Sequence, residues 1–303
     1  MAGKTRIGFI GVGLMGHGVA RNILEKGGYP LTILGNRNRQ PVDDLVARGA
    51  KEAHNPAEVA RASDIVFLCL PSSAEVEATV GGRNGLDGAL KRGAMIVDTT
   101  TADPAVTRKI AAGFASQGVD VIDAALGRTP KEAEDGKLST YVGGDKALLE
   151  RVRPIMETYC DTIIHCGPLG AGTTCKLVNN SITIGTASLF AEGFATAAKL
   201  GVDLTALADV ISAGGANGRM WQMIEPWIRE GDDSKLRGPL RIAAKDIRTY
   251  GRMAEGAGVA AFIAQAVSQS LRLALNQGYE NTFLPALPGV VAKLNGAKIR
   301  DFE

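Results

Sequence analysis

Within the stretch LGAGTTCKLVNNSITIGTASLFAEGFATAAKLG, from Leu169 to Gly201, four polar residues have a spacing that could do chemistry. Lys176, Asn179, Asn180 and Thr183 stand at i, i+3, i+4 and i+7, which places them on one face of an α-helix. The apolar residues Leu177, Val178, Ile182, Ile184, Leu189, Phe190 and Phe194 fall on every side of that helix, the pattern of a helix covered over most of its circumference. An amine and two carboxamides in such surroundings need polar partners, because an unpaired buried polar group costs about 1–3 kcal/mol and an unpaired charge more. An ordinary solvent face would carry more Glu, Lys and Arg. The pattern points instead to a catalytic cleft in which a partly desolvated lysine, its pKa drawn toward neutrality, moves a proton.

A proton carrier needs a partner reaction, and the N-terminus supplies a candidate. Residues Thr5 to Ala20, TRIGFIGVGLMGHGVA, read as a short apolar strand, a glycine turn and a helix. Glycines at Gly11, Gly13 and Gly16 let the backbone approach a dinucleotide pyrophosphate, and the helix start offers free N–H groups to it. Leu14 and Met15 complete the expected cofactor turn. The second strand, Leu31 to Leu34, ends at Gly35, Asn36, Arg37, Asn38 and Arg39. An NAD-specific fold would place an acid here to accept the ribose hydroxyls. Asn36 can still bond a ribose oxygen, while Arg37, with Arg39 as a second candidate, can pair with a 2′-phosphate, so NADP is expected over NAD.

Further strands are expected at Ile65–Leu70, Met95–Val97, Val119–Ile122, Ser139–Val142 and Thr162–Cys166, with helices between the first several, as in a parallel, doubly wound sheet. Ligands of such sheets lie at the carboxyl ends of the strands, which singles out Leu70 and Pro71, Thr99 to Thr101, and Gly127 to Pro130. Beyond Gly201 the strand signals stop. Val202–Ala213, Arg219–Arg229, Arg241–Glu255 and Ala260–Asn276 read as helices. The expected architecture is an α/β Rossmann-type domain over residues 1–168, a long connecting helix over 169–201 and an all-α substrate and dimerisation domain over 202–303.

Composition narrows the partners. The 303 residues suffice for two domains, and 34 Lys and Arg against 32 Asp and Glu leave a net charge of +2, with no global pull toward nucleic acid or an anionic membrane. The first apolar run starts at Ile7 and leads into the glycine turn, leaving no room for a signal peptide, and no run is long enough for a membrane span. Cys69, Cys160, Cys166 and Cys175 lack CxxC spacing and His17, His54 and His165 are scattered, so neither a metal site nor a Cys/His nucleophile is expected. A reduced, cytoplasmic setting fits.

GFIGVGLMG, the pair Leu70-Pro71, DTTT from Asp98, DAALGRTPKEAEDGKL from Asp123, GAGTTCKLVNN around Lys176 and the pair Lys245-Asp246 occur in the order found in β-hydroxyacid dehydrogenases. The chain resembles that family, which includes 3-hydroxyisobutyrate dehydrogenase and tartronate semialdehyde reductase, over nearly its whole length. The resemblance implies that Lys176 is the general acid/base, that Asn180 holds the substrate or the lysine, that the loop after Asp123 grips the substrate's acid group, and that Lys245 lies near the cofactor and closes the cleft. Read by itself, Lys245 could equally be a surface lysine paired with Asp246 or Asp203.

Most of the family carries Ser-Gly-Gly where this chain has Gly127, Arg128 and Thr129. That version resembles the sulfolactaldehyde reductase branch. Arg128 would bring a planar, permanently charged fork to a sulfonate, a phosphate or a more distant carboxylate, and Thr129 a hydroxyl donor. Asn179 and Thr183 would help orient the substrate hydroxyl. The expectation is an NAD(P)-dependent oxidoreductase that interconverts a small acid-bearing primary alcohol and its semialdehyde, as a reductase of sulfolactaldehyde- or succinic semialdehyde-like substrates. The alternatives are a 3-hydroxyisobutyrate dehydrogenase, a tartronate semialdehyde reductase, an imine reductase or a non-catalytic cofactor-binding interaction protein. A homodimer or homotetramer is expected.

Overall fold

The computed structural model describes residues 4–300, and the chain divides into two compact units at Lys176/Leu177. In the first unit the elements run β1 (Ile7–Ile10), α1 (Gly16–Glu25), β2 (Leu31–Leu34), α2 (Gln40–Ala47), β3 (Lys51–Ala53), α3 (Pro56–Ala62), β4 (Ile65–Leu68), α4 (Ser73–Gly81), β5 (Met95–Asp98) and α5 (Pro104–Ala115). They continue with β6 (Asp120–Gly127), α6 (Pro130–Asp135), β7 (Leu138–Gly143), α7 (Lys146–Met156) and β8 (Cys160–Gly167), and α8 (Ala171–Lys199) carries the division between the units.

Among the described residues eight strands form one sheet in the order β3-β2-β1-β4-β5-β6-β7-β8. Its two faces follow from the period of two along each strand. Ile7 and Phe9, Ile65 and Phe67, and Met95 and Val97 pack with Val19, Ile23 and Leu45 of α1 and α2, while Ile10, Val66, Leu68 and Ile96 pack with Val59, Val76 and Phe114 of α3, α4 and α5. Strands that are apolar on both faces need helices on both, which is why the sheet is doubly wound.

Two features depart from the reading of the sequence. The sheet is not wholly parallel, because β6 pairs antiparallel with β7, with Asp123 opposite Gly143 and Gly127 opposite Ser139. The intervening segment is only the short helix α6 and its flanks, too short for a crossover that returns the chain parallel to itself. The second feature is β3, whose Lys51 and Glu52 are exposed on the sheet's edge, so it has no apolar run to announce it.

The second unit is helical, as expected: the remainder of α8, then α9 (Leu204–Ala213), α10 (Arg219–Glu230), α11 (Leu240–Gly256), α12 (Phe262–Asn276), a 3-10 turn (Leu284–Ala286) and α13 (Leu287–Leu294). Phe194 stacks on Trp221 with ring centres 5.6 Å apart at the middle of its core. α8 is less covered than its composition predicts. Leu177, Ile184, Ala187, Ala191 and Phe194 are buried, but Ile182 and Leu189 are 67% and 68% exposed among the described residues.

Close packing of α1 on α6 depends on Gly18, where an added Cβ would lie 2.5 Å from the carbonyl carbon of Ala133 and 2.6 Å from Glu134 N. Gly18→Val is expected to lower stability by about 1–3 kcal/mol through overpacking, read from urea unfolding; an unchanged midpoint would show that the two helices can part at no cost.

Candidate active site

The ends of the parallel strands line up. Ile10 is in register with Leu34 and Leu68, Leu68 with Asp98, and Asp98 with Asp123, so the residues that follow them share one edge of the sheet. That edge collects the turn Gly11 to Gly16, Asn36 and Arg37, Leu70 and Pro71, and Thr101.

The glycine turn is shaped by backbone contact. Gly11 has φ +106°, and a Cβ there would lie 2.2 Å from Cys69 O; at Gly16 it would lie 1.9 Å from Gly11 O. No other residue type fits either position. Around Gly13 nothing lies within 4 Å of an ideal Cβ, which leaves the open approach a pyrophosphate needs next to the start of α1. Leu14 is exposed and Met15 packs against the core behind the turn. The strand ends are tied together: Thr100 Oγ1 accepts from Leu70 N at 3.0 Å, and Thr99 Oγ1 donates to Leu68 O at 2.7 Å. The residues present fit a dinucleotide. Asn36 and Arg37 are exposed, and Asn36 Oδ1 accepts the Arg37 N–H at 2.8 Å.

Asp123 was not singled out by sequence reasoning, and it organises the rest of the unit. Its buried carboxylate accepts from Gly170 N at 2.6 Å, Thr173 N at 2.7 Å and Thr173 Oγ1 at 3.0 Å, which caps the start of α8. Glycines let the helix come this close: a Cβ at Gly143 would lie 2.4 Å from Asp123 Oδ1, and one at Gly172 would lie 2.2 Å from Tyr141 O. Lys176, half-buried, is the next helical turn beyond Thr173. The available signal was an acid inside the apolar run VIDAALG, where only a paired or functional charge is tolerated. Its register partner Asp98 is pushed up to about 6, chiefly by burial and also by the Asp123 charge, against hydrogen bonds from Thr100.

The turn expected to take the acid group is partly committed to the protein itself. Gly127 is buried, and a Cβ there would lie 2.3 Å from Ser139 Oγ. Arg128 has φ +75°, unusual for a residue with a side chain. Its guanidinium bonds Asp161 Oδ2 at 2.6 Å, Thr162 Oγ1 at 3.2 Å and the Lys137 carbonyl, and Asp161 holds its pKa above the ordinary value. The Thr129 hydroxyl, expected as a donor to substrate, is instead given to Glu132, whose carboxylate also accepts from Thr129 N at 3.1 Å. The two form a capping box that starts α6.

In the second unit, Asn180 Nδ2 donates to Asp246 Oδ2 at 2.6 Å, and Lys245 Nζ lies 2.8 Å from Asp246 Oδ1. Lys245 thus makes the neighbour pair that its plain reading allowed, but with a buried carboxylate that also holds Asn180. Asp246, to which sequence reasoning gave no role, connects α8 to α11. Asn179 is exposed, with Nδ2 3.4 Å from Asn180 Oδ1, and Thr183 is half-buried.

The remaining reactive groups have other occupations. His17 lies 2.8 Å from both Glu134 Oε1 and Asp44 Oδ2, linking α1 to α6 and α2, and burial pushes the Cys69 thiol up to about 11. Among the described residues no group of three or more His, Cys, Asp and Glu could hold a metal ion.

Known proteins are similar to this chain in sequence and in fold. Residues 6–167 match the family model of the NAD binding domain of 6-phosphogluconate dehydrogenase, and residues 170–283 match that of the NAD-binding region of NADP-dependent 3-hydroxyisobutyrate dehydrogenase. The chain is 34% identical to 2-(hydroxymethyl)glutarate dehydrogenase of Eubacterium barkeri over 77% of each protein. It is 31% identical to glyoxylate/succinic semialdehyde reductase 2 of Arabidopsis thaliana over 99% of this chain and 82% of the relative. The fold matches that of Mycobacterium tuberculosis 3-hydroxyisobutyrate dehydrogenase with a TM-score of 0.83 at 23% identity, covering 96% of this chain and 99% of the other. Cofactor turn, capped helix and both sequence matches agree, and the chain belongs to the β-hydroxyacid dehydrogenase family of NAD(P)-dependent oxidoreductases.

Proposed function

We propose that the protein is an NADP-preferring reductase of small acid-bearing semialdehydes, with Lys176 as the acid/base. The observation that carries this reading is the capping of α8 by Asp123: it ties the turn before Lys176 to the strand edge at which α/β folds bind dinucleotides. When bound, the nicotinamide exchanges a hydride with the carbon of the substrate. Lys176 Nζ gives the proton to the aldehyde oxygen during reduction and takes it back in the reverse direction; in its cationic form it also steadies the charge that builds there. Asn180, one helical turn on and held by Asp246, orients the substrate hydroxyl, with Asn179 and Thr183 on the same face. Lys245, fixed by Asp246, is kept as a cofactor contact.

Gly127, Arg128 and Thr129 are proposed as the turn that takes the acid group. Thr129 serves through its backbone, since its hydroxyl belongs to Glu132. Arg128 takes the acid by exchanging the Asp161 carboxylate for that of the substrate. The relatives whose names carry succinic semialdehyde and hydroxymethylglutarate support an acid lying some carbons from the reacting one, with sulfolactaldehyde-like substrates of the same reach. 3-Hydroxyisobutyrate and tartronate semialdehyde are the shorter alternatives. Glycine at position 13 leaves room for the pyrophosphate, and Asn36 and Arg37 are the proposed ligands of the ribose and its 2′-phosphate.

Pairing with a second copy is proposed from the exposed apolar residues Ile182 and Leu189, seven residues apart on α8. A cytoplasmic setting is proposed with it; among the described residues no helix is long and apolar enough to cross a membrane.

Three measurements test the reading. Lys176→Ala is expected to reduce kcat by about 10²–10⁴-fold while the dissociation constant of the cofactor is retained; a variant with near wild-type turnover would remove Lys176 from the chemistry. Asp123→Ala strands the N–H groups of Gly170 and Thr173, so stability should fall by roughly 1–3 kcal/mol and kcat with it, whereas Asp123→Asn, which keeps an acceptor, should lose less. Equal turnover in all three proteins would separate the cap from catalysis. Arg128→Gly suits the positive φ, so the turn should persist; KM is expected to rise for succinic semialdehyde and short sulfonates and to change little for the shortest carboxylates. A uniform panel would show that Arg128 does not read the acid.

A further inference from the structure

The end of β2 offers two arginines to a 2′-phosphate, and the structure separates their roles. Arg39 Nη1 donates to Glu52 Oε1 at 2.6 Å, and Nη2 donates to Glu52 Oε2 and to Asp43 Oδ1, both at 2.9 Å. The guanidinium is therefore matched by two carboxylates, one of them in bidentate geometry. Arg37 is exposed, and among the described residues its guanidinium joins no ion pair.

Glu52 arrives from a different strand. It lies on β3, in register with Ile33 of β2, and its carboxylate reaches over Gly35, the residue that follows β2. A Cβ at Gly35 would lie 2.2 Å from Glu52 Oε1 and 2.8 Å from Arg39 Nη1, so the absence of a side chain at position 35 is what admits the pair. The stretch GNRNR has no acid of its own, yet the fold brings a carboxylate to the same strand end. In dinucleotide-binding folds an acid at this place accepts the ribose hydroxyls and selects against a 2′-phosphate. Here that charge is covered by Arg39.

We propose that Arg39 is a specificity residue: it cancels the Glu52 carboxylate, so that the end of β2 accepts a 2′-phosphate on Arg37 instead of selecting the unphosphorylated ribose. The inference rests on the NADP reading above and extends it to Glu52, which no cofactor contact was expected to involve, giving Arg39 a role other than phosphate ligand. Arg39 acts through Glu52, so its effect must vanish when the carboxylate does. That property distinguishes it from an arginine that touches the phosphate.

Equilibrium binding of NADP and NAD, measured by titration calorimetry without substrate, tests this on the wild type, Arg37→Gln, Arg39→Gln, Glu52→Gln and the double variant Arg39→Gln/Glu52→Gln. Arg39→Gln should weaken NADP relative to NAD by about tenfold or more, and the double variant should return the ratio to near its wild-type value. Thermal unfolding of the free proteins should be nearly unchanged, because the pair is exposed. An unaltered ratio in Arg39→Gln overturns the proposal, and so does a double variant as impaired as Arg39→Gln, which would make Arg39 a direct phosphate ligand. A wild type that binds NAD more tightly, with Arg37→Gln changing neither constant, overturns the NADP reading instead. The Arg39 proposal then stands only if Arg39→Gln still moves the ratio and Glu52→Gln moves it back.

Discussion

A carboxylate buried inside a sheet is tolerable only where donors surround it, and Asp123 finds three of them at the start of α8. The pairing suits both partners. The first turn of a helix has N–H groups with no acceptor of their own and carries the positive end of the helix dipole, so an anion there is favoured twice. Because Asp123 sits in register with the last residue of β5, the same contact that satisfies its charge also ties α8 to the carboxyl edge of the parallel strands. Lys176 stands three residues beyond Thr173 on the same helix, so its place along α8 follows from that cap. The neighbouring Asp98, also buried, has its carboxyl group pushed up to about 6 by that burial, with the Asp123 charge adding to the rise and hydrogen bonds from Thr100 opposing it.

Close backbone approach is the second constraint, and glycine is its instrument in two places. At Gly143 and Gly172 it lets α8 descend onto β6 and β7 until the Asp123 bonds can form. At Gly11 and Gly16 it lets the turn after β1 fold against the end of β4 and leave open space above Gly13. Helix start and cofactor turn are thus made by the same device, the removal of a side chain where two backbones must touch.

Charges in this protein are seldom left to themselves. Asp246 divides its two oxygens between Asn180 and Lys245, Asp161 and Thr162 hold the Arg128 fork, and Glu52 with Asp43 holds Arg39. Such pairs contribute little to stability where they are exposed, but each sets the direction of a long side chain and decides which cations are available to an anionic ligand. Among the described residues, Arg37 is the arginine at the end of β2 whose guanidinium joins no such pair.

Much was legible in the residues. Short apolar strands around a glycine turn, a helix long enough to carry four polar residues on one face, and a run of helices after Gly201 require only local pattern, and the structure has all three. The edge strand Lys51–Ala53 was not legible, because its residues are charged and its strand character comes from hydrogen bonds to β2. Nor was the antiparallel turn of β7, which depends on how far α6 can carry the chain. Residue types identified Lys176, Arg128 and Thr129 as chemically capable, but not the partners that direct them. Asp123 and Gly170 are far apart in sequence, as are Arg128 and Asp161, and Arg39 and Glu52 lie on different elements. Pattern within one element is set by local geometry and can be read from the sequence; the pairing of a charge with a donor on another element exists only once the sheet has chosen its strand order, and tertiary structure alone decided it.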